Sequence, residues 1–150
     1  MIKIYLASGW FNEQQMSIMK EIKEVLDVFK SQGTVDYFAP YWNGIVLKPG
    51  DPKEKWKETW NLDIDMIKDS QLMIANIEGF EPGTIYECGY AGACGIPVIY
   101  YSNVVGRGLN LMLSFSAYGF ANTKEQLTKG IYHFFDKPRT KFNVWEGEPI

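Results

Sequence analysis

The chain has 150 residues, 46% hydrophobic and 15% aromatic, which suits one globular domain over residues 1–150 with a sizeable core and is too short for two. A net charge of −3 and an isoelectric point near 5.2 supply no basic footprint for a nucleic-acid backbone, so small neutral or cationic ligands fit better. No stretch approaches the roughly 18 apolar residues of a membrane span, and "MIKIYLASGW" lacks a long apolar region and a small-residue cleavage site, so a cytoplasmic protein without membrane partners is expected.

Ile2 to Ala7 reads as a short strand. The segment from Asn12 to Gly33 reads as a helix with the apolar stripe Ile18, Ile22, Val25, Leu26 and Phe29, stopped by Gly33. Val35 to Ala39 is a second strand. The segment from Pro40 to Pro52 carries enough Pro and Gly to be a binding loop. A second helix is expected from Asp51, as cap, with Pro52 at its first position, to about Ser70.

Gln71 to Ile77 is a buried strand, Thr84 to Gly95 a helix, Ile96 to Tyr101 another buried strand and Thr123 to Phe135 a last helix. Strands alternating with helices predict an α/β domain with a mostly parallel sheet. Ligands then collect outside the carboxyl ends of the strands, at Ser8 to Asn12, Pro40 to Pro49, Glu78 to Thr84 and Ser102 to Asn110. Cys88 and Cys94, six apart in one expected helix, point in different directions and read as reduced packing residues.

Some residues break the local rules. Between Pro82 and Gly106 the sole charged residue is Glu87, set among glycines, alanines and aromatics near the ligand-bearing edge. Most helical glutamates are solvated. The small neighbours here would let a ligand approach closely, which favours a functional acid. Trp56, Trp60, Asp63 and Ile67 follow a helical stripe in which Asp63 replaces an expected core residue, and a structural hydrogen bond explains it as well as chemistry does. Tyr5 defaults to core, Trp10 and Phe11 follow a strand end where they can stack on a flat ring, and Glu81 defaults to a solvated turn. His133, the only histidine, has no cysteine or carboxylate cluster beside it and reads as structural or surface.

Several chemistries are missing. "LASGWFNEQ" has no G-x-G-x-x-G, there is no Walker lysine, one histidine makes no Ser-His-Asp triad, and no metal-ligand spacing occurs, so neither metal nor cofactor is expected. What remains is carboxylates, tyrosines and indoles, the set expected for glycosyl chemistry on a ligand with an aromatic group.

"IYLASGWF", "NLDIDMIKDSQLMIANI", "GTIYECGYA", "GRGLNLM" and "KPRTKFNVWEGEP" together, in order, resemble the nucleoside 2-deoxyribosyltransferase family over nearly the whole chain. The resemblance implies a flavodoxin-like, Rossmann-like three-layer α/β domain with about five mostly parallel strands. It implies transfer of 2-deoxyribose between nucleobases through a covalent intermediate on Glu87, with retention of configuration. By the same match Tyr5 orients the nucleophile, Asp63 protonates or binds the base, and Trp10 and Phe11 enclose base and sugar. Asn110, reaching the 5-prime hydroxyl, and Met112 come from a neighbouring subunit. Deoxynucleosides and free nucleobases are the implied small-molecule partners, and a homo-oligomer, hexameric or built from dimers with shared sites, the implied assembly. Glu81 stands where the family commonly has an aspartate near the sugar, and the ending "EGEPI" lacks a tyrosine found in some relatives. Rival readings are a nucleoside or deoxynucleotide N-glycosidase on the same fold and a non-catalytic nucleoside-sensing module.

Overall fold

The computed structural model describes residues 1–150. In chain order it runs β1 (Ile2–Ala7), α1 (Glu13–Ser31), β2 (Val35–Phe38), α2 (Pro40–Asn43), α3 (Lys53–Lys68), β3 (Leu72–Asn76), a 3-10 turn (Glu78–Phe80), α4 (Pro82–Ala93), β4 (Val98–Tyr101), α5 (Leu111–Ser116), β5 (Gly119–Ala121) and α6 (Lys124–Asp136). The strands form one sheet in the order β2-β1-β3-β4-β5, and every neighbouring pair is parallel. This is the flavodoxin-like arrangement, with its topological switch between β1 and β3.

Alternation along the strands makes three layers. Ile4 and Leu6 of β1 and Leu72 and Ile74 of β3 meet α1 and α6, whereas Tyr5, Ala7, Met73 and Ala75 meet α3, α4 and α5. Eighteen buried residues fill the first core and 17 the second, so both faces are covered, as an all-parallel sheet requires. The expected stripe of α1 is buried throughout. The Asn12 side chain accepts from Gln15 N at 2.8 Å at its start, and Gly33 follows its end at φ 73°. No helix is long and apolar enough to cross a membrane.

The structure corrects several expectations. The Pro40–Pro52 segment contains a helical turn, α2, whose Asn43 Oδ1 accepts from Ala39 N at 3.0 Å. Asp51 does not cap α3: its Oδ2 accepts from Lys48 N at 2.6 Å and pairs with Lys55, closing the loop instead, so the helix begins at Lys53. Trp56 and Trp60 are each 53% exposed, so of their stripe only Ile67 is buried, and it forms the core face of α3 with Ile64. Cys88 is buried, but Cys94 is exposed and is not a core packing residue. β5 and α5 were not expected as elements: three residues starting with Gly119 and six starting with Leu111 are too short for a periodic signal. His133 Nε2 lies 2.7 Å from the Thr140 carbonyl oxygen, and its ring packs on Tyr118 and Phe142, a structural setting.

Candidate active site

The site grows from the carboxyl end of β1. Tyr5 points into the core shared with α4 and is fully buried, with its ring 5.8 Å from that of Phe38. Its hydroxyl donates to Glu87 Oε2. Glu87 sits in the second turn of α4, and Glu81 begins that helix as its cap: Oε1 accepts from Gly83 N at 2.9 Å, and Oε2 accepts from Thr84 N at 2.7 Å and from Thr84 Oγ1 at 2.9 Å. A Cβ at position 83 would lie 3.1 Å from each Glu81 oxygen, so the glycine serves the cap as well as the open approach to Glu87. Glu81 is therefore not the freely solvated residue that its turn position suggests.

Burial pushes the Glu87 carboxyl up to about 8. The Tyr5 hydroxyl opposes that shift by bonding to the charged form, while Asp63 and Glu81 add to it by repulsion. Tyr5 itself is pushed far above the ordinary phenol range, by burial first and then by the acids around it, so it serves as a neutral donor. Asp63, on α3, is also pushed up by burial, to about 6. Its Oδ1 is buried with no hydrogen-bond partner. A buried structural aspartate would have its oxygens satisfied, so of the two readings open from the sequence this favours an acid kept for a ligand.

Both acids line a cavity of about 380 Å³ at the switch point, a size suited to a small organic ligand. Trp10 and Phe11, from the loop after β1, form one wall and are 36% and 68% exposed. Trp60, three residues before Asp63 on α3, and Tyr86, adjacent to Glu87, complete an aromatic mouth; in the sequence Trp60 stood only as part of a helical stripe and nothing selected Tyr86. Ser8, Pro40, Ile64 and Ile67 also contribute. Glu81, Asp63 and Glu87 line the cavity and no Lys or Arg does, so the lining favours a neutral or cationic group over a phosphate. No group of three or more His, Cys, Asp and Glu side chains with the placement to hold a metal ion is present.

Asn110 and Met112 lie elsewhere, beside a separate apolar cavity of about 460 Å³ with Phe80, Ile85 and Ile150. Asn110 Oδ1 accepts from Leu113 N at 3.0 Å and so caps α5, leaving its amide group without a partner in the chain. Within one chain the structure does not bring them to Glu87. Arg107, in the segment after β4, is committed to Glu78: Nε donates to Oε1 at 2.9 Å and Nη2 to Oε2 at 2.6 Å.

The family model described as nucleoside 2-deoxyribosyltransferase matches residues 4–129, a span that includes Tyr5, Asp63, Glu87 and Asn110. The chain belongs to the nucleoside 2-deoxyribosyltransferase family. Among solved structures, a 2-deoxyribosyltransferase of the psychrotolerant bacterium Bacillus psychrosaccharolyticus superposes with a TM-score of 0.79 at 23% identity, covering 96% of this chain and 99% of that one. A CMP N-glycosidase of Clostridium botulinum gives 0.56 at 19%, covering 87% and 98%, and a conserved protein of Enterococcus faecalis V583 gives 0.56 at 19%, covering 86% and 87%. At these identities the likenesses establish a shared fold. No curated protein sequence matches the chain.

Proposed function

We propose that this family member transfers 2-deoxyribose between nucleobases, with Glu87 as nucleophile. The observation that carries the reading is the buried Glu87 carboxyl held by Tyr5 in the same cavity as Asp63, whose Oδ1 has no partner. A Glu87 oxygen attacks C1 of the sugar and the C1–N bond breaks, its electron pair passing to the departing base. Asp63 gives its proton to a ring nitrogen of that base, which leaves as a neutral molecule. A nitrogen of the acceptor base then attacks C1 from the vacated side, the ester to Glu87 breaks, and the proton returns to Asp63. Two inversions retain the configuration. Trp10, Phe11 and Trp60 stack on the base, Glu81 faces the sugar, and Asn110 and Met112 serve the site of a neighbouring copy in a homo-oligomer.

Hydrolysis is the second reading, with water in place of the acceptor base. It is favoured by the exposure of Trp10 and Trp60, which leaves the cavity of one chain open to solvent. A deoxynucleotide substrate is disfavoured by a lining whose charged residues are all acidic and by the commitment of Arg107 to Glu78.

A chromatographic assay with 2-deoxyinosine as donor, with and without adenine, alongside Glu87→Ala, tests these readings. Transfer gives 2-deoxyadenosine only with adenine and intact Glu87. Hypoxanthine released at the same rate without adenine assigns the protein to hydrolysis. No turnover of any deoxynucleoside refutes the nucleophile and leaves a binding module.

A further inference from the structure

The turn between β3 and α4 is strained and tightly held. Gly79 has φ 74° and Phe80, a residue with a side chain, has φ 44°. A Cβ on Gly79 would meet Gln15 Nε2 at 2.6 Å. Glu78, which precedes them, is 1% exposed and accepts both guanidinium bonds of Arg107 together with the Ser102 hydroxyl. Its backbone is fixed as well: Glu78 N donates to Asn76 Oδ1 at 3.1 Å, and Gln15 Nε2 donates to the Glu78 carbonyl at 3.1 Å.

The partners of Glu78 also hold the cavity walls. Asn76 Nδ2 donates to Ser8 Oγ at 3.0 Å, and Gln15 Oε1 accepts from Phe11 N at 2.9 Å. Three residues after Glu78 comes Glu81, the cap that sets the start of α4 and hence the place of Glu87. An ion pair with one buried partner adds little stability over an apolar packing of equal volume, because the Glu78 carboxylate loses its hydration and Arg107 part of its own. Its presence here calls for another role, and the strained Phe80 immediately precedes Glu81, the cap of the helix that carries Glu87.

We propose that Glu78 and Arg107 are positioning residues: their ion pair, formed on the buried Glu78 carboxylate, holds the left-handed turn that sets the start of α4, and so fixes the direction from which Glu87 meets the sugar. The proposal rests on the reading of Glu87 as nucleophile and deepens it. The pair also joins this turn to the β4–α5 loop, so the nucleophile and the Asn110 loop keep one mutual placement.

The test uses the double variant E78Q/R107M, in which neither partner strands an unpaired charge, with folding checked by circular dichroism at the assay temperature. A displacement of Glu87 by about 1 Å lowers kcat on the order of 10- to 100-fold, with a smaller change in KM. In Arg107→Ala, millimolar methylguanidinium restores kcat, since Arg107 is 29% exposed at the edge of an open cavity with Asn122 and Asn143. The same cation has no effect on wild type or the double variant. An unchanged kcat in the folded double variant, or methylguanidinium raising Tm but not kcat, overturns the proposal.

Wild-type turnover is the control for the functional reading. Were wild type inactive, the titration of Glu87, followed by carbon-13 NMR of labelled glutamate without substrate, would decide this inference. A midpoint that moves in the double variant supports it, because the distances from Glu87 to Tyr5, Asp63 and Glu81 have changed; an unmoved midpoint overturns it.

Discussion

Replacing Glu87 with Gln should stabilise the protein while abolishing turnover. Gln keeps the shape of the side chain and an acceptor for the Tyr5 hydroxyl, but it never carries the charge that burial opposes. The folded carboxyl titrates at about 8 against an ordinary 4.5, so between those values the folded chain holds a proton that the unfolded chain has released. The contribution of Glu87 to stability is therefore highest below pH 4.5, falls as pH rises and levels off above 8. At about 1.36 kcal/mol per pH unit, the loss is on the order of 3 kcal/mol at pH 7 and about 5 kcal/mol above pH 8.

The variant escapes that loss. Its gain over wild type should be close to zero at pH 4.5, about 3 kcal/mol at pH 7 and largest above pH 8. For a chain of this length about 3 kcal/mol corresponds to a rise in Tm of roughly 6 to 12 °C. Urea unfolding of both proteins at pH 4.5, 7 and 8.5, without ligand and at one protein concentration, measures the difference and removes the contribution of assembly from the comparison. A gain that does not grow with pH would refute the argument, because the stored energy would then not be the ionisation of Glu87. Destabilisation at pH 8.5 would show that the carboxylate is satisfied in the fold, contrary to its burial.

Tyr5→Phe keeps the contact with Phe38 but removes the bond that favours the charged Glu87. Since a hydrogen bond to a charged group contributes about 1.5 to 3 kcal/mol, the Glu87 titration should move up by about 1 to 2 pH units and kcat/KM at pH 7 should fall roughly 10- to 100-fold, read from pH profiles of the two proteins. Glu81→Ala removes the cap of α4 and should lower stability by about 1 kcal/mol, or roughly 2 to 4 °C in Tm by calorimetry. Trp60→Ala should raise KM for the donor roughly 5- to 100-fold with little change in kcat, since stacking of a base on an aromatic ring is worth about 1 to 3 kcal/mol.

What was legible in the sequence followed the reach of local pattern. The stripe of α1 and the buried runs of β3 and β4 are long periodic signals, and they gave the α/β order and the strand-end location of the cavity. Glu87 stood out because a lone acid among glycines and alanines has no solvated surface to explain it. Asp63 stood out for a partly mistaken reason: its stripe neighbours Trp56 and Trp60 are half exposed, so the stripe passes from solvent along the cavity and reaches the core only at Ile67. Glu78 was invisible as a special residue because its meaning depends on Arg107, 29 positions later, and two such residues look like ordinary surface charge until the fold buries one of them. β5 pairs with β4 through residues too few to show a period.

The two acids of the cavity titrate in an unusual order for the chemistry proposed, and that order can be tested. The nucleophile must be ionised and the base donor protonated, yet Glu87 titrates near 8 and Asp63 near 6. With one proton between them, the reactive arrangement is then roughly one part in a hundred of the ligand-free enzyme, and the pair titrates as a unit. Wild-type kcat/KM should be bell-shaped, rising near 6 and falling near 8 as the last proton is lost. Asp63→Asn should lose on the order of 100- to 10,000-fold with a poor leaving base. A donor whose base already bears a positive charge should be much less affected. With such a donor the variant needs only the ionised Glu87, so its activity should rise to a plateau at or somewhat below pH 8, where wild type with an ordinary donor declines. The limb near 8 thus reverses direction because it belongs to the nucleophile. If the variant instead rose near 6 or lower, Glu87 would be the stronger acid in the working site. The protonation order derived from its burial would then be wrong.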